Sequence, residues 1–223
     1  MWHYFLDATS ELIEEKGLHA ITIREIADRA GYTSSTVYNY FRDLSHLKFF
    51  AVMRHTNSYF KELPDYMAKG NNTVEKWLYA WECFCNHSFD RPDVYSLLYI
   101  ENLGSVPEEL MENYYQIYAH EMINLSDHVQ SIISQHNITT RSSLYIQAAK
   151  DEGFFLEEDI EYIAWVTMLI WTGMLTNMLN LRKQYSKEEA TKMTMKILYK
   201  SIMYTVVPEK RSQVHYDTNF FEE

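Results

Sequence analysis

Seven side chains packed into eight positions, Thr33, Ser34, Ser35, Thr36, Tyr38, Asn39 and Tyr40, have the chemistry to read a nucleic acid. They carry hydroxyls, phenols and one amide, with no carboxylate among them. Such groups hydrogen-bond phosphate oxygens and base edges without repelling the backbone. A solvated surface helix in an acidic protein would carry Glu and Lys in these places instead. The plain alternative is a capped helical hairpin in an ordinary bundle, where short polar side chains suit the ends of a short helix.

The elements that position these groups are written just upstream. Thr22-Ile23-Arg24-Glu25 has the pattern of a capping box, in which Thr22 accepts the Glu25 amide and Glu25 reaches back to the Thr22 amide. Ile23, Ile26, Ala27 and Ala30 then recur at helical spacing. Gly31 can take the positive φ needed just past a helix C-terminus. Thr33 or Ser34 can cap a second short helix running to Phe41. In it Val37 and Phe41 share a face that can dock on Ile26 and Ala30, leaving Ser34, Ser35, Thr36 and Asn39 outward with Tyr38 and Tyr40 on the flanks. The run from Ala20 to Phe60 therefore reads as a helix-turn-helix feeding a longer helix.

At these residues the chain resembles the TetR family of transcriptional regulators. Residues 5–17, ending in Lys16-Gly17, are similar to the family's first helix. Thr22–Ala27, Ala30-Gly31 and Thr36–Phe41 are similar to its second and third. The resemblance covers about fifty residues, and it implies a dimer that grips a near-palindromic double-stranded operator with two recognition helices in successive major grooves. Carried over by position, it places Thr22 and Arg24 at the start of helix two as DNA contacts. Thr33, Ser34, Ser35 and Thr36 then stand at the end of the recognition helix that enters the groove. Tyr38 and Tyr40 would bond phosphates, and Asn39 would meet a base edge. Where family members commonly carry Lys at the start of helix four this chain has Leu44, so Lys48 or Arg42 would have to supply that phosphate contact.

Charge divides the chain. Residues 1–61 hold seven Lys/Arg and seven Asp/Glu, so the whole net charge of −11 falls after Lys61. An acidic body repels DNA while a neutral head approaches it. A length of 223 residues, 47% of them hydrophobic, with six Gly and four Pro, suits a folded, helix-rich protein without long linkers. No repeat or low-complexity tract interrupts it. Asp7, Glu11 and Glu14 break any apolar leader, and the two cysteines, Cys83 and Cys85, cannot build a disulfide framework, so a cytoplasmic location is expected.

Periodicity after the head predicts helices over 44–63, 73–88, 93–102, 108–135, 142–152, 157–183 and 187–206, about ten helices in all, and no strands. The expected fold is all-α. A three-helix head occupies residues 1–45, an effector-binding and dimerisation domain 46–207, and a polar tail 208–223. Ile163–Leu181 has nineteen residues without a charge, close to the length that spans a bilayer. Its Thr, Gly and Asn residues favour instead a helix buried on all sides, one face in its own core and the other on a second subunit. In the family resemblance the last two helices pair with their copies. The expected dimer residues are Trp171, Gly173, Met174, Met178, Thr194, Ile197 and Ser201, with no membrane partner.

Aromatic and methionine stripes suggest a pocket for a flat or greasy small molecule. Trp77, Trp81, Phe84 and Ser88 share one helix face, and the candidate pocket residues are Trp81, Phe84, Tyr118, Met122, Trp165 and Met168, although each also suits an ordinary core. Cys83 and His87, four residues apart, do not complete a metal site. No HExxH, phosphate loop or GxSxG occurs. No cofactor is expected, and the chain reads as a ligand-responsive regulator, most simply a repressor, rather than an enzyme. The alternatives are an all-helical enzyme and a membrane-tethered regulator.

Overall fold

A computed structural model describes residues 1–101, 107–118, 126–135, 137–180 and 184–221. These residues form α-helices and short 3-10 turns, with no strand among them. They gather into two compact units, one made of residues 1–57 and 93–119, the other of 58–92 and 120–223.

The first unit begins with α1 (Trp2–Lys16), which buries Phe5, Leu6, Ala8, Thr9, Leu12 and Ile13 along one face. The α2 helix (Ile23–Ala30) follows, then the five-residue α3 (Ser34–Tyr38) and α4 (Leu44–Met53). Their shared core is aromatic: Phe41 meets Trp2 at 4.4 Å between ring centroids, Phe5 at 6.2 Å and Phe50 at 6.2 Å. Truncating Phe41 to Ala would cost about 3–5 kcal/mol. Arg29 ties α2 to α1, its guanidinium forking onto Glu15 with two 2.8 Å bonds and reaching Glu11 at 3.2 Å. The unit also holds α7 (Pro92–Tyr99) and α8 (Pro107–Ile117), and α8 sets Tyr114 against Phe50 of α4.

The second unit is built around α6 (Thr73–Asp90), against which α10 (Ile138–Asp151), α11 (Asp159–Leu179) and α12 (Lys187–Thr205) pack. Trp171 of α11 is fully buried, donates its indole N–H to Ser88 Oγ at 2.9 Å and lies 5.3 Å from Phe84. A second capping box, Ser186 with Glu189, opens α12. Gly70 is required by close approach, since a Cβ there would sit 2.5 Å from the Lys76 amide nitrogen.

Several helix bounds differ from the sequence expectation. The expected helix 44–63 is interrupted by a 3-10 turn at Arg54–Thr56, where the Thr56 hydroxyl takes the Met53 carbonyl, and α5 (Asn57–Met67) follows. Pro64 lies inside α5 rather than ending it. The expected long helix 108–135 is instead α8 and α9 (Asp127–Ile133), because Ser126 adopts an extended conformation and caps α9 through the Val129 amide. The segment after Pro208 is folded back rather than trailing: His215 N–H donates to Glu75 at 2.6 Å, Tyr216 to Glu82 at 2.5 Å, and Val214, Tyr216 and Phe221 are buried.

Candidate nucleic-acid interface and effector recess

Local chemistry builds the head's reading surface. Thr22 accepts the Glu25 amide at 3.3 Å and its own amide donates to Glu25 Oε2 at 3.0 Å, closing the expected capping box. Gly31 sits at φ 78°, ψ 26°, in the left-handed region that its missing side chain permits, and turns the chain toward α3. Thr33 proves to be the N-cap, accepting from the Thr36 amide, so Ser34 is the first residue of the helix. Val37 and Phe41 are buried on the inner face.

Outward, Thr33, Ser35, Tyr38 and Asn39 are exposed, while Ser34, Thr36 and Tyr40 are half-buried. Thr22 and Arg24 are exposed at the start of α2, and the Arg24 side chain is 88% accessible with only a 4.0 Å approach to Asp28. Eight of the ten expected contact residues thus share the two short helices and their caps, and Tyr40 follows the α3 C-cap directly. Lys48 stands apart on α4, half-buried, its amine pushed below the ordinary lysine range by burial, with the Glu101 carboxylate opposing that shift. Arg42 is exposed and pairs with Asp43 at 3.0 Å.

The corner between α3 and α4 is held by His46. Its Nδ1 accepts the Arg42 backbone N–H at 3.1 Å, which requires that nitrogen to be unprotonated. Its own amide donates to Asp43 at 2.8 Å, and its ring packs 4.9 Å from Phe50. Burial lowers its pKa from the ordinary 6.5, the Asp43 charge opposing and the Arg42 charge reinforcing the shift.

In the second unit a recess of about 340 Å3, open mouth included, is lined by Tyr59, Trp77, Ala80, Trp81, Phe84, Arg141, Ser142 and Tyr145. Two of the six expected pocket residues, Trp81 and Phe84, stand in its wall. Tyr118 belongs to the first unit, 4.7 Å from Tyr114 between ring centroids, and Met122 falls outside the described residues. Trp165 is 52% exposed on α11 and Met168 half-buried, and neither lines the recess. Trp77 was visible on the same α6 stripe as Trp81. Arg141 and Ser142 carried no signal, because their inward placement depends on how α10 meets α6.

Of the residues expected at a subunit interface, Trp171, Met174 and Thr194 are buried inside their own chain. Gly173 and Ile197 are exposed, and Met178 and Ser201 half-buried. The outward side of α11 carries Tyr162, Trp165 and Leu169 instead, the last 64% exposed, and α12 adds Met193, Ile197 and Tyr204. By length and composition α11 could also cross a bilayer, with a mean hydropathy of 1.3 over its most apolar window, a third of which is buried. Glu62, Cys83 and His87 bring three possible metal ligands within 4.8 Å of one another. There His87 already meets Glu62 at 3.2 Å and Ser58 at 3.4 Å, and burial keeps the Cys83 thiol protonated, so the group reads as a core contact.

Residues 5–46, from α1 to the start of α4, match the family model described as bacterial regulatory proteins, tetR family. Over these residues the chain is similar to the TetR family. The HTH-type transcriptional regulator HbdR of Aromatoleum sp. (strain CIB) is 26% identical over 83 residues, 37% of this chain and 36% of that protein, so the match spans about a third of the regulator's length. Beyond this head, the likeness is one of fold. A TetR-family regulator from Syntrophomonas wolfei superposes with a TM-score of 0.60 at 15% identity, covering 90% of this chain and 94% of that one. The TetR-family repressor FadR of Thermus thermophilus, solved in complex with lauroyl-CoA, gives 0.58 at 13% identity, covering 89% and 93%.

Proposed function

We propose that the protein is a cytoplasmic, homodimeric transcription regulator, most simply a repressor, whose hold on a palindromic DNA operator is altered by a small molecule in the second unit. The observation that carries this reading is the α3 face: a run of hydroxyls, phenols and an amide with no acid, left accessible near the exposed Arg24 of α2. One five-residue helix touches too few bases for useful specificity, so a second copy is needed, with its helix about 34–36 Å away in the next major groove. The large apolar side chains left exposed on α11 and α12 support a partner of the same kind, because burying them against a second copy would remove that surface from water.

The recess supports the sensing half of the reading, as does the lauroyl-CoA held by one fold relative. An occupant need only favour one separation of the two heads over the other, and a coupling of about 1–3 kcal/mol would suffice. The test is a gel shift on DNA flanking the coding sequence at two salt concentrations, paired with sedimentation of the purified protein. A salt-sensitive shift by a dimer is expected. Absence of any shift at low salt would overturn the reading, and recovery of the protein only in the lipid pellet would favour a membrane tether on α11.

A further inference from the structure

The walls of the α6–α10 recess specify an occupant more narrowly than its size does. Trp77, Trp81 and Phe84 supply flat apolar faces, with Trp81 and Phe84 5.4 Å apart at an 85° interplanar angle, a corner into which an aromatic ring fits edge or face. Among the described residues, no Asp, Glu, Asn or Gln lines the recess. Its polar groups lean to one side of the hydrogen-bond ledger. The Trp77 indole can only donate and the guanidinium of Arg141 can only donate, while Ser142 and Tyr145 each have a hydroxyl hydrogen to give.

Two of these groups are left wanting. Trp77 Nε1 and Ser142 Oγ are buried without a hydrogen-bond partner, although polar atoms in such places are rarely left so. The Tyr145 hydroxyl reaches only a thioether, Met67 Sδ at 3.9 Å, and burial raises its pKa to about 12, so it keeps its proton. Arg141 is only 6% exposed and is anchored by two bonds to the Gln135 carbonyl, 3.1 Å from Nε and 2.9 Å from Nη2. That anchoring holds the guanidinium in the wall. An apolar ligand would leave the Trp77 and Ser142 donors unanswered, and a cation would face the like charge of Arg141. A carboxylate brings two oxygens with room for several donors and a matching charge.

We propose that this recess binds a small aromatic carboxylate, a single ring lying against Trp81 and Phe84 with its acid group met by Arg141, Ser142 and the Trp77 N–H. The assignment rests on the regulator reading only for its purpose, since the recess would select the same chemistry in any protein. A volume of about 340 Å3 with the mouth included suits one ring and not a long chain or a fused polycycle.

The probes are benzoate and its neutral isostere benzamide, titrated into the full chain and followed by saturation-transfer NMR and tryptophan fluorescence. Benzoate should bind at millimolar concentration or below, and benzamide at least ~10-fold more weakly, as expected for a charge-assisted contact replaced by a neutral one. Arg141→Gln should weaken benzoate by ~10-fold or more and benzamide by little. Because Arg141 also holds the Gln135 carbonyl, Trp77→Phe and Ser142→Ala provide gentler variants, each expected to weaken benzoate by roughly threefold to tenfold. Equal binding of the two probes, no benzoate binding, or folded variants that bind benzoate like the parent would each overturn the proposal. A gel shift run in parallel separates the two readings: DNA binding without benzoate binding sinks the ligand alone, and benzoate binding without DNA binding sinks the regulator alone.

Discussion

Ser35 is the residue at which the DNA reading is most exposed to refutation, because it is accessible at the start of α3 and its side chain caps nothing. Ser35→Glu should leave the melting temperature within a degree or two yet weaken DNA binding at least ~10-fold, a carboxylate being repelled by phosphate. A gel shift with a melt on the same sample checks both halves. His46 supplies a second prediction. Its pKa is depressed by burial, so the unfolded chain takes up the proton more readily and stability is complete above about 6.5, then falls as pH drops through that value until the folded ring itself titrates. His46→Asn keeps an acceptor near the Arg42 amide but cannot titrate. Melts at pH 7.5 and 5.5 should therefore show a smaller pH penalty in the variant than in the parent, and an equal penalty would refute the role given to this ring. Both features turn on different kinds of legibility. The outward set on α3 could be read because Thr22, Gly31 and Thr33 signal locally where helices start and stop. His46 could not, since its depressed pKa arises from burial, which only the folded chain supplies.

Among the elements, α11 separates what composition can show from what packing decides. It is apolar on nearly every side, so no face stands out as the core face from spacing alone. Trp165 and Trp171 lie on one uncharged stretch of α11, and only the structure shows that Trp171 is the core residue bonded to Ser88 while Trp165 looks outward. The same ambiguity exchanged residues between the expected pocket and the expected interface. For Gly173 the outcome is specific, since a Cβ there meets nothing within 4 Å in its own chain. Gly173→Trp should fold normally but disturb a facing copy, and Leu169→Glu should do so more strongly. Sedimentation is expected to shift toward monomer for Leu169→Glu, with operator affinity falling together with it. A variant that stays dimeric and binds DNA as before would remove this side of α11 from the interface. Breaks inside the expected long helices were equally hidden, because Thr56 and Ser126 act through a carbonyl and an amide that any helix of similar composition offers.

At the level of the whole molecule, the distribution of charge would govern how the proposed operator is approached. Residues 1–61 are neutral and the remainder carries −11, so binding must lean on few cations, Arg24 the most accessible of those placed on the reading face. With about two phosphate contacts per head, a dimer would show a slope of log affinity against log salt near −4, shallower than that of strongly basic readers. Titrations across a range of salt concentrations measure it directly, and a slope near −8 would mean that phosphate contacts outside this face dominate.

The folded-back segment after Pro208 has a consequence for the acid it covers. Glu75 is fully buried, and its carboxylate depends on the His215 amide along with Asn71 and Asn72 to stay ionised below the usual glutamate range. Deleting the segment after Pro208 would therefore leave that buried carboxylate short of a donor, so stability should fall at neutral pH and part of the loss should return on mild acidification as the acid takes up a proton.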